Sequence, residues 1–216
     1  MPSSRAARGG HEVNDGRRLW LIRHGETTAG SSTRYYGATD VPLSDLGREQ
    51  VRGLADWLAD VRCRAVVHSP LSRAVESAGL VAGMLADRPL FVEVDDDLRE
   101  VDFGEIEGWT ADEVRADRPE WFERWQRGGI DGFPGGESLD GFAARVAGAI
   151  DRAVARHPEG DLAVVAHRGV VKNALSHLVG LPRDVVRAWA LDLGSATVVA
   201  AHPGRGFVLE RYNIVG

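Results

Sequence analysis

The sequence predicts an α/β fold: a mostly parallel central sheet with helices on both faces, an antiparallel edge and a small cap insertion. Three observations predict it. From Arg18 onward, short apolar runs alternate with longer stretches of helical periodicity, the pattern of strands joined by crossover helices. Two of the apolar runs end alike, in Arg23-His24-Gly25 and in His167-Arg168-Gly169. The last two runs flank HPGRG, a hairpin signal that places antiparallel strands at one edge.

Taken in order, RLWLIRH (18–24) reads as a strand, SDLGREQVRGLADWLAD (44–60) as a helix and CRAVVHS (63–69) as a strand. PLSRAVESAGLVAGMLA (70–86) follows as a helix and PLFVEV (89–94) as a short strand. After a gap come a helix over 138–157, a strand over 161–167, a helix over 169–180, and strands over 195–202 and 207–213. Ser44 and Ser138 stand where N-caps belong, Pro70 starts a helix and Gly180 ends one. The irregular stretch 95–137 holds two short amphipathic pieces, TADEVRAD and PEWFERWQRG, and a glycine-rich return, GGIDGFPGGES. It reads as the cap. Trp121, Phe122 and Trp125 share a helical face there, and they are expected to pack against the domain rather than stack on a substrate.

A chain of 216 residues with 44% hydrophobic and 27% charged content suits one domain with a sizeable core. Residues 18–216 are expected to form it, after a flexible leader over 1–17. No apolar run is long enough to span a bilayer, and the N-terminal MPSSRAARGGHEVNDGRR lacks the apolar middle of a secretory signal. Cys63 is the sole cysteine, so the expected compartment is the cytoplasm. The formal charge of -6 argues against nucleic acid as a partner. Lys172 is the only lysine among 26 basic residues, so an anion site must be built from arginine and histidine.

In open parallel sheets, ligands bind beyond the carboxyl ends of the strands. If the strands ending at His24, Ser69 and His167 run parallel, then Arg23, His24, Arg73 and His167 converge on one edge. Two arginines and two histidines suit a dianionic phosphate, and helix N-termini behind Ser69 and His167 add partial positive charge. Gly25 is expected to let the backbone turn sharply beside the ligand. His11, His157, His177 and His202 have no such setting and read as surface or helix residues.

The motifs RHGET, TDVPLSDLGREQ, SPLSRAVESA, LREVDFGEIEG, GGES and VVAHRGVV, in that order, resemble the histidine phosphatase superfamily. That family includes cofactor-dependent phosphoglycerate mutases and many small phosphatases. The resemblance implies a phosphoglycerate mutase-like fold and a phosphomonoesterase acting on a small phosphorylated metabolite, with no cofactor and no metal. It implies that His24 is the nucleophile, that Arg23, Arg73 and His167 hold the phosphate, and that Glu100 is the proton donor. Composition alone leaves Glu100, Asp102, Glu105 and Glu107 open for that last role; the family pattern picks Glu100. Homodimers are common in the family, and no exposed apolar stripe in the sequence marks an interface.

The chain departs from its mutase relatives at several places. Gly30 stands where mutases carry an asparagine, and Tyr36 where they carry a phosphate-contacting threonine. Thr27, Arg34, Tyr36, Gly37 and Arg168 are the candidate substrate-binding residues. Arg168 replaces the glycine of the usual His-Gly pair, and the sequence leaves open whether it reaches over the pocket or points outward. GWTA and the short cap lack the features by which mutases hold a carboxylate, which disfavours 2,3-bisphosphoglycerate-dependent mutase activity. YYGATDVPLS resembles the matching stretch of α-ribazole phosphatases. A phospho-ligand binding module without turnover is the remaining alternative.

Overall fold

The computed structural model describes residues 16–30, 32–85 and 89–216, so residues 1–15 of the expected leader, His11 among them, lie outside the described residues. Six strands form one sheet: β1 (Arg18–Arg23), β2 (Cys63–His68), β3 (Phe91–Val94), β4 (Asp161–Ala166), β5 (Ala196–His202) and β6 (Gly206–Ile214). Their order is β3-β2-β4-β1-β5-β6. β3, β2, β4 and β1 are mutually parallel, and β5 and β6 close the sheet as the expected antiparallel edge.

Alternation along the strands divides the core into two layers. Trp20 and Ile22 of β1, Val66 of β2 and Ala163 and Val165 of β4 face one side, where α1 (Asp45–Arg52), α2 (Ala55–Leu58) and α3 (Ser72–Met84) cover them with Val51, Leu54, Leu58, Ala78 and Val81. Leu19, Leu21, Val67, Leu162 and Val164 face the other, beneath α6 (Leu139–Arg156) and α7 (Arg168–Val179). The second layer also takes in the 95–137 segment, whose Ile106, Val114, Phe122 and Phe133 belong to the same buried cluster. Here α4 (Ala111–Asp117) and α5 (Pro119–Gln126) are the two expected amphipathic pieces. Phe122 belongs to the buried cluster with Trp121 and Trp125 packed against it, and Trp125 lies 4.9 Å from Tyr35, so these cap aromatics pack against the domain as expected.

Local signals account for most boundaries. The Ser44 and Ser138 side chains accept from the backbone N–H of Gly47 and Gly141, and Gly180 ends α7 in the left-handed conformation. Three expectations are corrected. The helix expected over 44–60 is broken after Arg52, where the backbone of Gly53 packs against Gly216. Arg17, assigned to the flexible leader, is buried, its guanidinium donating to the carbonyls of Gly160, Val154 and His157. His157, read as a surface or helix residue, is buried at the end of α6. A short helix that the periodicity does not reveal, α8 (Arg183–Ala188), ties the cap to the domain, since Arg187 donates to the carbonyl of Trp125 at 2.9 Å. Among the described residues, no helix is long and apolar enough to cross a membrane.

Gly25 is explained by crowding rather than by a turn. Its φ is not positive; instead a Cβ there would stand 2.1 Å from the carbonyl oxygen of Gly47. Reciprocally, a Cβ on Gly47 would stand 2.1 Å from the carbonyl oxygen of Glu26. The first turn of α1 therefore lies directly on the chain leaving β1. Gly47→Ala should lower stability by about 1–3 kcal/mol, the usual cost of overpacking, as read by urea unfolding.

Candidate active site

The parallel register carries three strand ends to one place. His24 N–H donates to the carbonyl of Ala166, and Ser69 N–H to that of Val165, so the ladder runs one residue beyond each strand. The rings of His24 and His167 consequently meet edge-on with centroids 5.1 Å apart. Arg73, in the first turn of α3, is fully buried beside them, and its Nε donates to Nδ1 of His167 at 3.3 Å. Its Nη atoms donate to the carbonyls of Thr39, Gly37 and Tyr36 at 2.9, 2.9 and 3.2 Å.

These bonds fix both tautomers. Nδ1 of His24 lies 2.6 Å from the carbonyl oxygen of Gly25, which can only accept, so Nδ1 carries the proton and Nε2 the lone pair. His167 is the reverse: Nδ1 accepts from Arg73, and Nε2–H donates to Oγ of Ser69 at 2.7 Å. Burial, with the charges of Arg23 and Arg73 behind it, holds the His24 imidazolium well below its ordinary value. His167 is held down in the same direction by burial, then by Arg73, His24 and Arg23. Both rings are neutral near pH 7.

Arg23 donates through Nη1 to the carbonyl of Leu191 at 2.6 Å, while its Nε is buried with no hydrogen-bond partner among the described residues. Burial and the charge of Arg168 bring its pKa down to about 10, with Glu100 opposing them. A buried unpaired N–H costs about 1–3 kcal/mol, a cost that an anion accepting from it would remove.

Geometry separates the four candidate acids. Glu100 is buried, one carboxylate oxygen accepting from Val101 N–H at 3.0 Å and the other from Gly169 N–H at 2.9 Å, next to His167. Glu107 is spent on the loop over 37–39, accepting from the N–H groups of Gly37, Ala38 and Thr39 and from the Thr39 hydroxyl. Asp102 caps a turn at Gly104, and Glu105 pairs with Arg118 at the surface. The structure thus brings Arg23, His24, Arg73, Glu100 and His167 together. Tyr36 and Gly37 join them through the carbonyls that hold Arg73, and Thr27 is buried on the chain leaving β1. Arg34 is not brought to them; its guanidinium binds the Gly108 carbonyl and Glu113, lining a separate groove of about 680 Å³ along the cap. Arg168 is exposed.

Two contributors are invisible in the sequence. Ser69 reads there only as a strand end, yet its hydroxyl sets the His167 tautomer. Arg145 of α6 forms a fork with Glu137 (2.7 Å to each oxygen) and donates to the carbonyls of Asp97, Arg99 and Glu100, locking the turn that presents Glu100. No local pattern announces either bond.

A mostly parallel α/β sheet with paired histidines and arginines at the carboxyl ends of its parallel strands defines the class of phosphate-handling α/β proteins. Within it, the chain belongs to the histidine phosphatase superfamily (branch 1), whose pattern matches residues 19–215. A bifunctional protein of Mycobacterium tuberculosis is 37% identical over 182 residues, covering 84% of this chain and 49% of the relative; the chain spans about half the length of that protein. The adenosylcobalamin/alpha-ribazole phosphatase of Escherichia coli is 34% identical over 182 residues, covering 82% of this chain and 86% of the relative. A solved mycobacterial glucosyl-3-phosphoglycerate phosphatase, in complex with VO3, superposes with a TM-score of 0.81 at 31% identity, over 91% of this chain and 98% of that one. The family expected from the motifs is therefore the family found.

Two buried neutral histidines link stability to pH. Their folded pKa values lie below the unfolded value of about 6.5, so below that pH the unfolded chain binds more protons. Their contribution is fully present above about pH 6.5 and is lost as pH falls towards the folded values. Chemical unfolding followed across that window should show stability falling with acidification, with a shallower slope in His24→Gln.

Proposed function

We propose that the chain is a phosphomonoesterase that hydrolyses a small phosphorylated metabolite through a phosphohistidine at His24. One observation carries this reading: a neutral imidazole, its Nδ1–H tied to the Gly25 carbonyl and its Nε2 lone pair available, set among Arg23, Arg73 and His167. Nε2 attacks phosphorus as the ester P–O bond breaks, and Glu100 delivers a proton to the departing alcohol oxygen. Water then attacks the phosphohistidine with Glu100 taking its proton, which releases phosphate and restores His24. Arg23, Arg73 and His167 bind the non-bridging oxygens, where charge spreads in the transition state. The arginines supply the positive charge, so the reaction needs no metal and no cofactor.

Thr27, Tyr36 and Gly37 wall the phosphate end of the site. The relatives named for α-ribazole and glucosyl-3-phosphoglycerate phosphatase activity support a small organic phosphate as substrate. The mycobacterial relative in complex with VO3 supports an anion site on the same fold. We assign this machinery to residues 18–216 and place the protein in the cytoplasm, where such metabolites occur.

Phosphate release from a panel of sugar phosphates, phosphoglycerates, nucleotides and α-ribazole phosphate should persist in EDTA and vanish in His24→Ala. Phosphoglycerate isomerisation dependent on 2,3-bisphosphoglycerate, without phosphate release, would instead establish a mutase. Tight phosphate binding with no turnover would establish a binding module. If Glu100 is the acid, Glu100→Gln should lower kcat by about 100-fold or more on alkyl phosphates and much less on p-nitrophenyl phosphate, whose leaving group needs little protonation.

A further inference from the structure

We propose that Arg168 determines specificity: its guanidinium takes a second anionic group, a carboxylate or a further phosphate, carried on the alcohol portion of the substrate. The inference rests on the phosphatase reading above and adds the substrate class.

Its position is the first argument. Arg168 opens α7 between His167, buried in the pocket, and Gly169, whose N–H binds Glu100. An exposed side chain starting there starts at the wall of the site. Direction is the second. Lys172 lies one turn further on the same face of α7, and its Nζ donates to the carbonyls of Arg187 at 2.8 Å and Trp189 at 2.6 Å. Two residues beyond, the Leu191 carbonyl holds Arg23. The face that carries Arg168 therefore borders the segment that anchors a phosphate-binding arginine. Its charge is felt accordingly, helping burial to lower Lys172 to about 8 and acting on Tyr35 of the cap side and Tyr212 of β6.

The third argument is that its charge is unmatched. Among the described residues Arg168 has no hydrogen bond and no ion pair, whereas Arg118, Arg145 and Arg152 all grip carboxylates. The acids nearby are engaged elsewhere: Glu100 with Val101 and Gly169 N–H, and Asp192 with the Asn213 amide. A cation whose neighbours Arg23 and Lys172 repel it, beside a pocket that already neutralises one phosphate, is matched by a second anion on the same ligand.

The test compares 3-phosphoglycerate with glycerol 3-phosphate, which replaces the carboxylate by a hydroxymethyl group, in wild type, Arg168→Gln and Arg168→Lys. Because Arg168→Gln removes a charge-assisted hydrogen bond, its kcat/KM for 3-phosphoglycerate should fall about tenfold, mostly through KM, with partial recovery in Arg168→Lys. For glycerol 3-phosphate it should change less than about twofold, because that ester lacks the second anion. Equal falls on both esters, or no change on 3-phosphoglycerate, would overturn the assignment. p-Nitrophenyl phosphate serves as the control for the underlying reading: if wild type releases phosphate from none of the three esters, the phosphatase reading fails and this inference with it.

Discussion

Parallel pairing of β4 with both β1 and β2 is the constraint on which the site depends. It places His24, Ser69 and His167, distant in the chain, at the same level beyond the sheet edge, with backbone bonds carrying the ladder one residue past each strand. The buried runs that precede them, Leu19–Ile22 and Leu162–Ala166, are held by apolar layers on both faces. Each fully buried aliphatic side chain there contributes about 1.5–3 kcal/mol, and that packing is what sustains a crowd of basic groups at the strand tips. The core and the site are thus one construction. The apolar run fixes the position of the base that follows it.

Crowding has a chemical consequence. Burial first, and the two guanidiniums behind it, make imidazolium unfavourable, so the histidines stay neutral and His24 keeps its Nε2 lone pair. The tautomer follows from main-chain geometry rather than from a partner carboxylate: the Gly25 carbonyl takes Nδ1–H of His24, and Arg73 with Ser69 fixes His167. Arg73 is in turn held by the 36–39 loop, and that loop by the carboxylate of Glu107. Removing Glu107 would therefore disturb the phosphate end of the site without touching the ligand.

What is legible in the sequence follows from this hierarchy. Arg23, His24 and His167 can be read because each sits directly after an apolar run, and Arg73 because it lies in the first turn after another. Those are local patterns, and the direction of the strands does the rest. The Ser69–His167 bond spans 98 residues and the Arg145–Glu100 bond 45, so no window of sequence contains either pair. Gly25 is legible as necessary but for the wrong reason, since its neighbour in space, Gly47, belongs to another element. The motif resemblance, rather than composition, separates Glu100 from Glu107. The structure supplies the physical distinction, since one carboxylate is buried at the start of α7 beside His167 and the other braces the loop over 37–39.

An arriving phosphate dianion would invert the balance of charge at the strand tips. Its charge offsets Arg23 and Arg73, gives the buried Nε of Arg23 an acceptor, and removes the repulsion that adds to burial in keeping the imidazoles neutral. In the proposed transfer to His24 the Nε2 lone pair must survive this change; burial is what keeps it unprotonated, and the Nδ1–H bond to Gly25 fixes Nε2 as the nitrogen that carries it. His167 has the opposite tautomer, so its Nε2–H is a donor, bound to Ser69. Rotation of that donor towards a phosphate oxygen would leave the Ser69 hydroxyl to find another partner. The two histidines are chemically alike in sequence, both ending apolar strands, and their opposite tautomers suit them to different work: in the proposed reaction one attacks and the other binds.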